Sequence, residues 1–145
     1  MTARTRFGGD GGSATLELVV WAPVLLLVIA VVILAGRVAQ AHLTVEAAAA
    51  EAARAASAAE TSAQARSEAT AAAAAALGSR GLRCSSTAVT IDTSQWRTQA
   101  GTPATVSAAV SCDLALDDIA VPGVPGRMSI DASASSVLDT YRARP

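Results

Sequence analysis

The sequence predicts an α+β protein in which a long N-terminal transmembrane and stalk helix packs on a small antiparallel three-stranded sheet. Three observations predict it. Leu18 to Ala35 is a run of eighteen residues without a charged side chain. Residues 37 to 77 contain neither Gly nor Pro and consist largely of Ala, the strongest helix former. From Leu82 onward the apolar residues repeat with a period of two, the period of a half-buried strand.

The apolar run sets the class of protein. Thirteen of its eighteen residues are Leu, Val or Ile. At 1.5 Å per residue the run is about 27 Å long as a helix, close to the ~30 Å hydrocarbon thickness of a bilayer. Thirteen such residues at about −0.3 to −0.6 kcal/mol each favour insertion by roughly 4 to 8 kcal/mol, against about 3 for one acid at mid-membrane. Glu17 at the edge of the run therefore does not veto a span, and a lipid bilayer is the first partner expected. Pro23 near its start removes one backbone N–H and should kink the helix, a defect membrane helices tolerate. Arg4, Arg6 and the amino terminus lie on one side and Arg37 on the other, which favours a cytoplasmic N-terminus. Both cysteines would then lie in an oxidising compartment.

Composition narrows the function. At 145 residues, with a span and an Ala-rich helix, the chain has room for one small globular part, and 3% aromatics means a thin core. Net charge is −1 and spread along the chain, so nucleic acid is not an expected partner. All eleven basic residues are Arg, a usage that, with the abundant Ala, points to a GC-rich genome. Residues 1–12 are short, polar and basic, with Gly or Asp at every position from Gly8 to Gly12. Such a leader does not fold and is open to a protease.

Gly12 is followed by Ser13, Ala14, Thr15, Leu16 and Glu17, then by the apolar run with Pro23, then by Gly36-Arg37, Val45-Glu46 and Ala52-Ala53-Arg54-Ala55-Ala56. This succession resembles the TadE family of type IV pilin-like proteins, over about residues 11 to 60. The resemblance implies cleavage by a prepilin peptidase between Gly12 and Ser13, which makes residues 1–12 a leader and Glu17 the fifth residue of the mature chain. It also implies that Glu17 pairs with the N-terminal amine of its own or a neighbouring subunit, and that other pilin-like or pilus-assembly subunits are partners. The physics agrees in direction. A new amine on Ser13, pKa about 8, would lie four residues from a glutamate that is costly in lipid without a positive partner. The residues alone leave a second possibility, Glu17 reaching the headgroup layer unpaired.

Beyond the span, residues 13–36, the helix is expected to continue through residues 37–78 and stop near Gly78 and Gly81. Val38, Ala41, Val45, Ala48, Ala52, Ala56, Ala59, Ala63, Thr70, Ala74 and Leu77 fall on one side at steps of three and four. Glu46, Glu51, Arg54, Glu60 and Glu68 lie away from them. A seam of such small residues lets another backbone approach closely, so Val38 to Ala56 are candidates for helix packing between subunits. The same seam could instead pack on the protein's own sheet. His42, just past the span, is expected at the interface and not as a ligand.

Residues 79–145 form the head. Val106, Ala108, Val110, Cys112 and Leu114 alternate with Ser107, Ala109, Ser111 and Asp113. Met128, Ile130, Ala132 and Ala134 alternate with small polar residues, and Val89 with Ile91 marks a weaker first strand. Gly101 to Pro103 and Val121 to Gly126 supply turns, so an antiparallel meander covered by the second half of the long helix is the economical fold. That layout is also pilin-like. Cys84 and Cys112 are expected to form a disulfide; two buried thiols or a metal pair are the alternatives. Trp96 and Tyr141 are expected at the core or its rim, and Asp117 and Asp118 in a solvated turn.

No catalytic histidine, glycine loop, nucleophile motif or ligand cluster is present, so a structural protein without metal, cofactor or small-molecule substrate is expected. Two other functions compete with the pilin-like one. Ala39-Gln40-Ala41 is an A-x-A triplet, so a signal peptidase cut after Ala41 would release a soluble domain. The chain could also be an uncleaved single-pass envelope protein.

Overall fold

The computed structural model describes residues 11–115 and 127–141, with side chains from residue 18 to 114 and from 127 to 141. Two helices, a short 3-10 helix and three strands follow one another: α1 Gly11–Ala58, α2 Ser62–Ser79, β1 Cys84–Asp92, the 3-10 turn Ser94–Arg97, β2 Ala104–Ala115 and β3 Arg127–Leu138. The chain divides into two compact units, Met1–Val38 and Ala39–Pro145, and the division falls inside α1. The fold is α+β, as the sequence predicts. The anticipated turn Val121–Gly126 and the pair Asp117 and Asp118 lie outside the described residues.

The helix expected to run unbroken to Leu77 stops at Ala58, and the reason is local. Thr61 takes an extended conformation, φ −129° and ψ 155°, and its side chain accepts the N–H of Gln64 at 3.2 Å. The Gln64 side chain reaches back and accepts the N–H of Glu60 at 3.3 Å. This is a close relative of the capping box, in which a Thr and a Gln three residues apart satisfy N–H groups that a new helix leaves orphaned. At its other end α2 closes with a Schellman motif. Leu82 N–H donates to Leu77 O at 3.1 Å, Gly81 N–H donates to Gly78 O at 3.0 Å, and Gly81 has φ +69°, which costs glycine nothing.

In the unit Ala39–Pro145 the strands form one antiparallel sheet in the order β1-β2-β3. The register places Val89 opposite Val110 and Ile91 opposite Ala108. It also places Ala108 opposite Ala134 and Cys112 opposite Ile130, so these apolar residues share one face. Val106, Ala108, Val110, Cys112 and Ile130 are at most 1% exposed. Both helical segments contribute to the same core: Ala41, Val45, Ala48, Ala49, Ala52, Ala53 and Ala56 from α1, and Ala65, Ala69, Ala73 and Leu77 from α2. Ser136 Oγ donates to Ser57 Oγ at 3.0 Å, tying the end of α1 to β3, and Arg66 Nη2 donates to Thr93 Oγ1 at 3.4 Å, tying α2 to the end of β1. The opposite face of the sheet is polar and exposed, with Ser86, Thr90, Ser107, Ser129 and Ser133 upon it.

The buried stripe matches the expected one through Ala59 and then changes phase. Ala63, Thr70 and Ala74, expected on the inner side, are exposed, while Ala65, Ala69, Ala73 and Leu77 are buried. Residues 59–61 are not helical, so the 3.6-residue period restarts at Thr61. Trp96, at 6% exposure, belongs to the core. Tyr141, at 89%, is exposed.

Candidate membrane span and processing segment

The described apolar residues of the N-terminal unit, Leu18 to Ile33, are all outward-facing. Their large side chains are 46–70% exposed, and the segment is long and apolar enough to cross a membrane. A helix satisfies every backbone N–H and C=O internally except at its ends and at Pro23, so only the side chains decide its solvent, and here they are hydrocarbon. Pro23 lies inside α1 and cannot donate to the carbonyl of Val19. Gly36 and Arg37 end the apolar run, and His42 and Leu43 on the next turns are exposed.

Gly12, Ser13 and Glu17 lie in the first two turns of α1, Ser13 and Glu17 four positions apart and so about 6 Å apart along the axis. The side chain of Glu17 is outside the described residues, as are residues 1–10 of the leader.

The candidate helix-packing residues have a clear placement. Val38 is half-buried. Ala41 is 5% exposed, and Val45, Ala48, Ala52 and Ala56 are wholly buried in the core of the unit Ala39–Pro145. Of the two uses of the small-residue seam, packing within the protein is the one the structure contains. The surface that would meet another subunit is occupied by the chain itself.

Cys84 and Cys112 are joined, with Cα atoms 5.3 Å apart. Side chains alternate along a strand, and Thr87 is the partner of Cys112 across the ladder. Cys84, an odd number of positions away, would face the opposite side in a regular strand. The register slips by one between Cys84 and Ser86, so that Cys84 stands opposite Leu114. The bulge at Ser85 thus returns Cys84 to the inner face, where Cys112 lies. Around the bulge, Ser85 Oγ donates to Asp113 O at 2.9 Å and Ser86 Oγ donates to the Asp113 carboxylate. Bonds from the Ser86 and Ser129 hydroxyls hold the Asp113 carboxyl below its ordinary pKa of 3.8. At the other end of β1, Asp92 is held low by the backbone N–H of Ser94 and then by its hydroxyl.

Sequence reasoning missed the cap at Thr61, for which the spacing Thr61-Ser62-Ala63-Gln64 was the available signal, and the 3-10 turn that carries Trp96. A turn of that kind has no period to announce it.

An apolar helix fit to cross one bilayer, followed by a two-layer α+β head with a disulfide, defines the class: a candidate single-pass membrane protein with a small folded head. The family model for TadE-like protein matches residues 12–54, beginning at Gly12 and including Glu17, the apolar run and the first part of the core seam. No curated protein and no solved structure matches the chain.

Proposed function

We propose that this protein is a TadE-like, membrane-anchored minor pilin or pseudopilin that contributes to assembly of a Flp/Tad-type pilus or a related secretion apparatus. The observation that carries the reading is the TadE-like match over residues 12–54, which starts on the glycine of the processing motif and runs through the apolar helix. In this reading a prepilin peptidase cuts between Gly12 and Ser13. The new Ser13 amine and the Glu17 carboxylate, one helical turn apart within a subunit or shared between neighbours, then neutralise each other in the apolar bundle. The N-terminus is cytoplasmic and the head extracytoplasmic, where its disulfide persists. The role is structural and not catalytic, with the peptidase, the bilayer and other pilin-like subunits as its partners.

The rival cut after Ala41 would leave a head without Ala41, a residue 5% exposed in its core. The deciding experiment is N-terminal sequencing of the protein recovered from its native membrane. A start at Ser13 is expected. A start at His42 or at Met1 would refute the reading, as would normal apparatus assembly by Glu17→Ala.

A further inference from the structure

A cavity of about 510 Å³ opens where the start of α2 meets the 3-10 turn. Arg66, Arg97, Trp96, Thr93, Ser62 and Thr61 line it. No carboxylate is among the described residues of that lining. Its charged groups among the described residues are two guanidiniums, which can only donate. Among the described residues Arg97 has no hydrogen-bond or ion-pair partner, and Arg66 has only the hydroxyl of Thr93, at 3.4 Å. Of the acids beside these residues in the chain, Asp92 is engaged by the backbone N–H of Ser94 at 2.9 Å, Glu68 accepts from Gln64 Nε2 at 3.3 Å, and Glu60 is exposed.

Trp96 adds an independent observation. The residue is 94% buried, being 6% exposed, yet its indole N–H has no acceptor among the described residues. No sealed side-chain nitrogen or oxygen among the described residues lacks a partner, so the indole N–H lies at the small open part of Trp96, a residue of this lining. A buried Trp N–H ordinarily finds an acceptor. Here the acceptor is left to come from outside. The first N–H groups of α2, Ser62 and Ala63, precede the first intrahelical bonds and are also without acceptors in the helix.

We infer that this cavity binds a phosphate monoester of a small organic molecule. A phosphate monoester carries close to two negative charges at neutral pH and offers acceptor oxygens in several directions, so it matches two guanidiniums and a ring of donors. A carboxylate supplies one charge and leaves one arginine uncompensated. The space is many times the ~30 Å³ share of one water molecule, so the phosphate brings an organic group that fills the rest of it.

The test uses the full chain in non-ionic detergent with Trp21→Phe, which leaves Trp96 as the one remaining tryptophan. Phenyl phosphate is titrated while Trp96 emission is read, with benzoate and inorganic phosphate as comparisons. Phenyl phosphate should give a saturable change. Arg66→Gln and Arg97→Gln should each weaken it about tenfold or more, the usual scale for a lost charged hydrogen bond. Arg54→Gln, at an exposed arginine paired with Glu51, should leave it unchanged and so serves as the control for nonspecific charge. Absence of a saturable change, equal affinity in Arg97→Gln, equal affinity for benzoate, or equal affinity for inorganic phosphate would overturn the inference.

Discussion

Reduction of the Cys84–Cys112 bridge is the most direct probe of how the head is held together. The bridge joins the first residue of an edge strand to the central strand across a sequence separation of 28. Closing a loop of about 29 residues in the unfolded chain removes entropy worth roughly 3 to 4 kcal/mol. That is a large share of the ~5 to 15 kcal/mol that stabilises an ordinary domain. Reduction removes no atom, so the core keeps both sulfur atoms and the change falls mainly on the unfolded state. At about 4 to 8 °C per kcal/mol for a domain of this size, the melting temperature of the head should fall by roughly 12 to 32 °C. The full chain in detergent is melted with and without a phosphine reductant, following Trp96 emission in the Trp21→Phe background. A fall of less than about 5 °C would refute the loop-closure reasoning. The bulge supplies a second arm. Deleting Ser85 removes the bulged residue and leaves Cys84 directly before Ser86, still opposite Leu114 on the inner face, so the bridge should be retained and neither thiol should be titratable in the non-reduced protein; free thiols in that variant would show that the ladder register does not place Cys84.

Three further outcomes are expected. Thr61→Ala removes the side-chain acceptor of the Gln64 N–H and should cost about 1 kcal/mol, read as a shift in the denaturant midpoint. Ala52→Leu forces extra methylenes into a site with no exposed surface and should cost about 1 to 3 kcal/mol, whereas Ala74→Leu on the exposed side of α2 should be nearly neutral; the reverse order would mean the helical phase is misassigned. Asp92 and Asp113 have lowered folded-state pKa values, so the stabilisation they contribute is complete above 3.8 and is lost as pH falls from there through the folded values. Acid titration of stability should therefore steepen below about pH 4, less so in Asp113→Asn, and an identical slope in that variant would remove Asp113 from the account.

The strands were legible because each carries its own pattern. Val106 to Leu114 alternates cleanly, and both the inner face and the antiparallel pairing follow from it once a meander is assumed. The apolar run from Leu18 was legible for a different reason: its length and lack of charge leave few alternatives to a span. What escaped was where the chain departs from periodicity. Thr61 interrupts an Ala-rich run whose propensity argues for continuation, and a capping interaction worth about 1 kcal/mol prevails once the two helices can each present Ala to the same sheet. The one-residue slip at Ser85 leaves no trace in composition, yet it decides which face Cys84 occupies. The candidate processing residues were legible only as a motif, since Gly12, Ser13 and Glu17 have no periodicity of their own.

The Ala seam links the fold to the proposed function by what it leaves unavailable. Alanine buries little area per residue, and among the described residues the largest wholly buried side chains are Ile130, Val45, Val106, Val110 and Cys112, so the head gains cohesion from close approach, from caps and from a covalent bridge. A seam spent in this way cannot also dock a neighbouring subunit. Burial of Ala41, Val45, Ala48, Ala52 and Ala56 removes them from the surface, while most of the large exposed apolar side chains among the described residues lie between Leu18 and Ile33. In the proposed assembly role, the membrane segment that follows Glu17 is the exposed apolar surface offered for lateral association through the helix. Substitutions at Ala52 should act on the stability of the head, and substitutions at Glu17 on assembly without destabilising it.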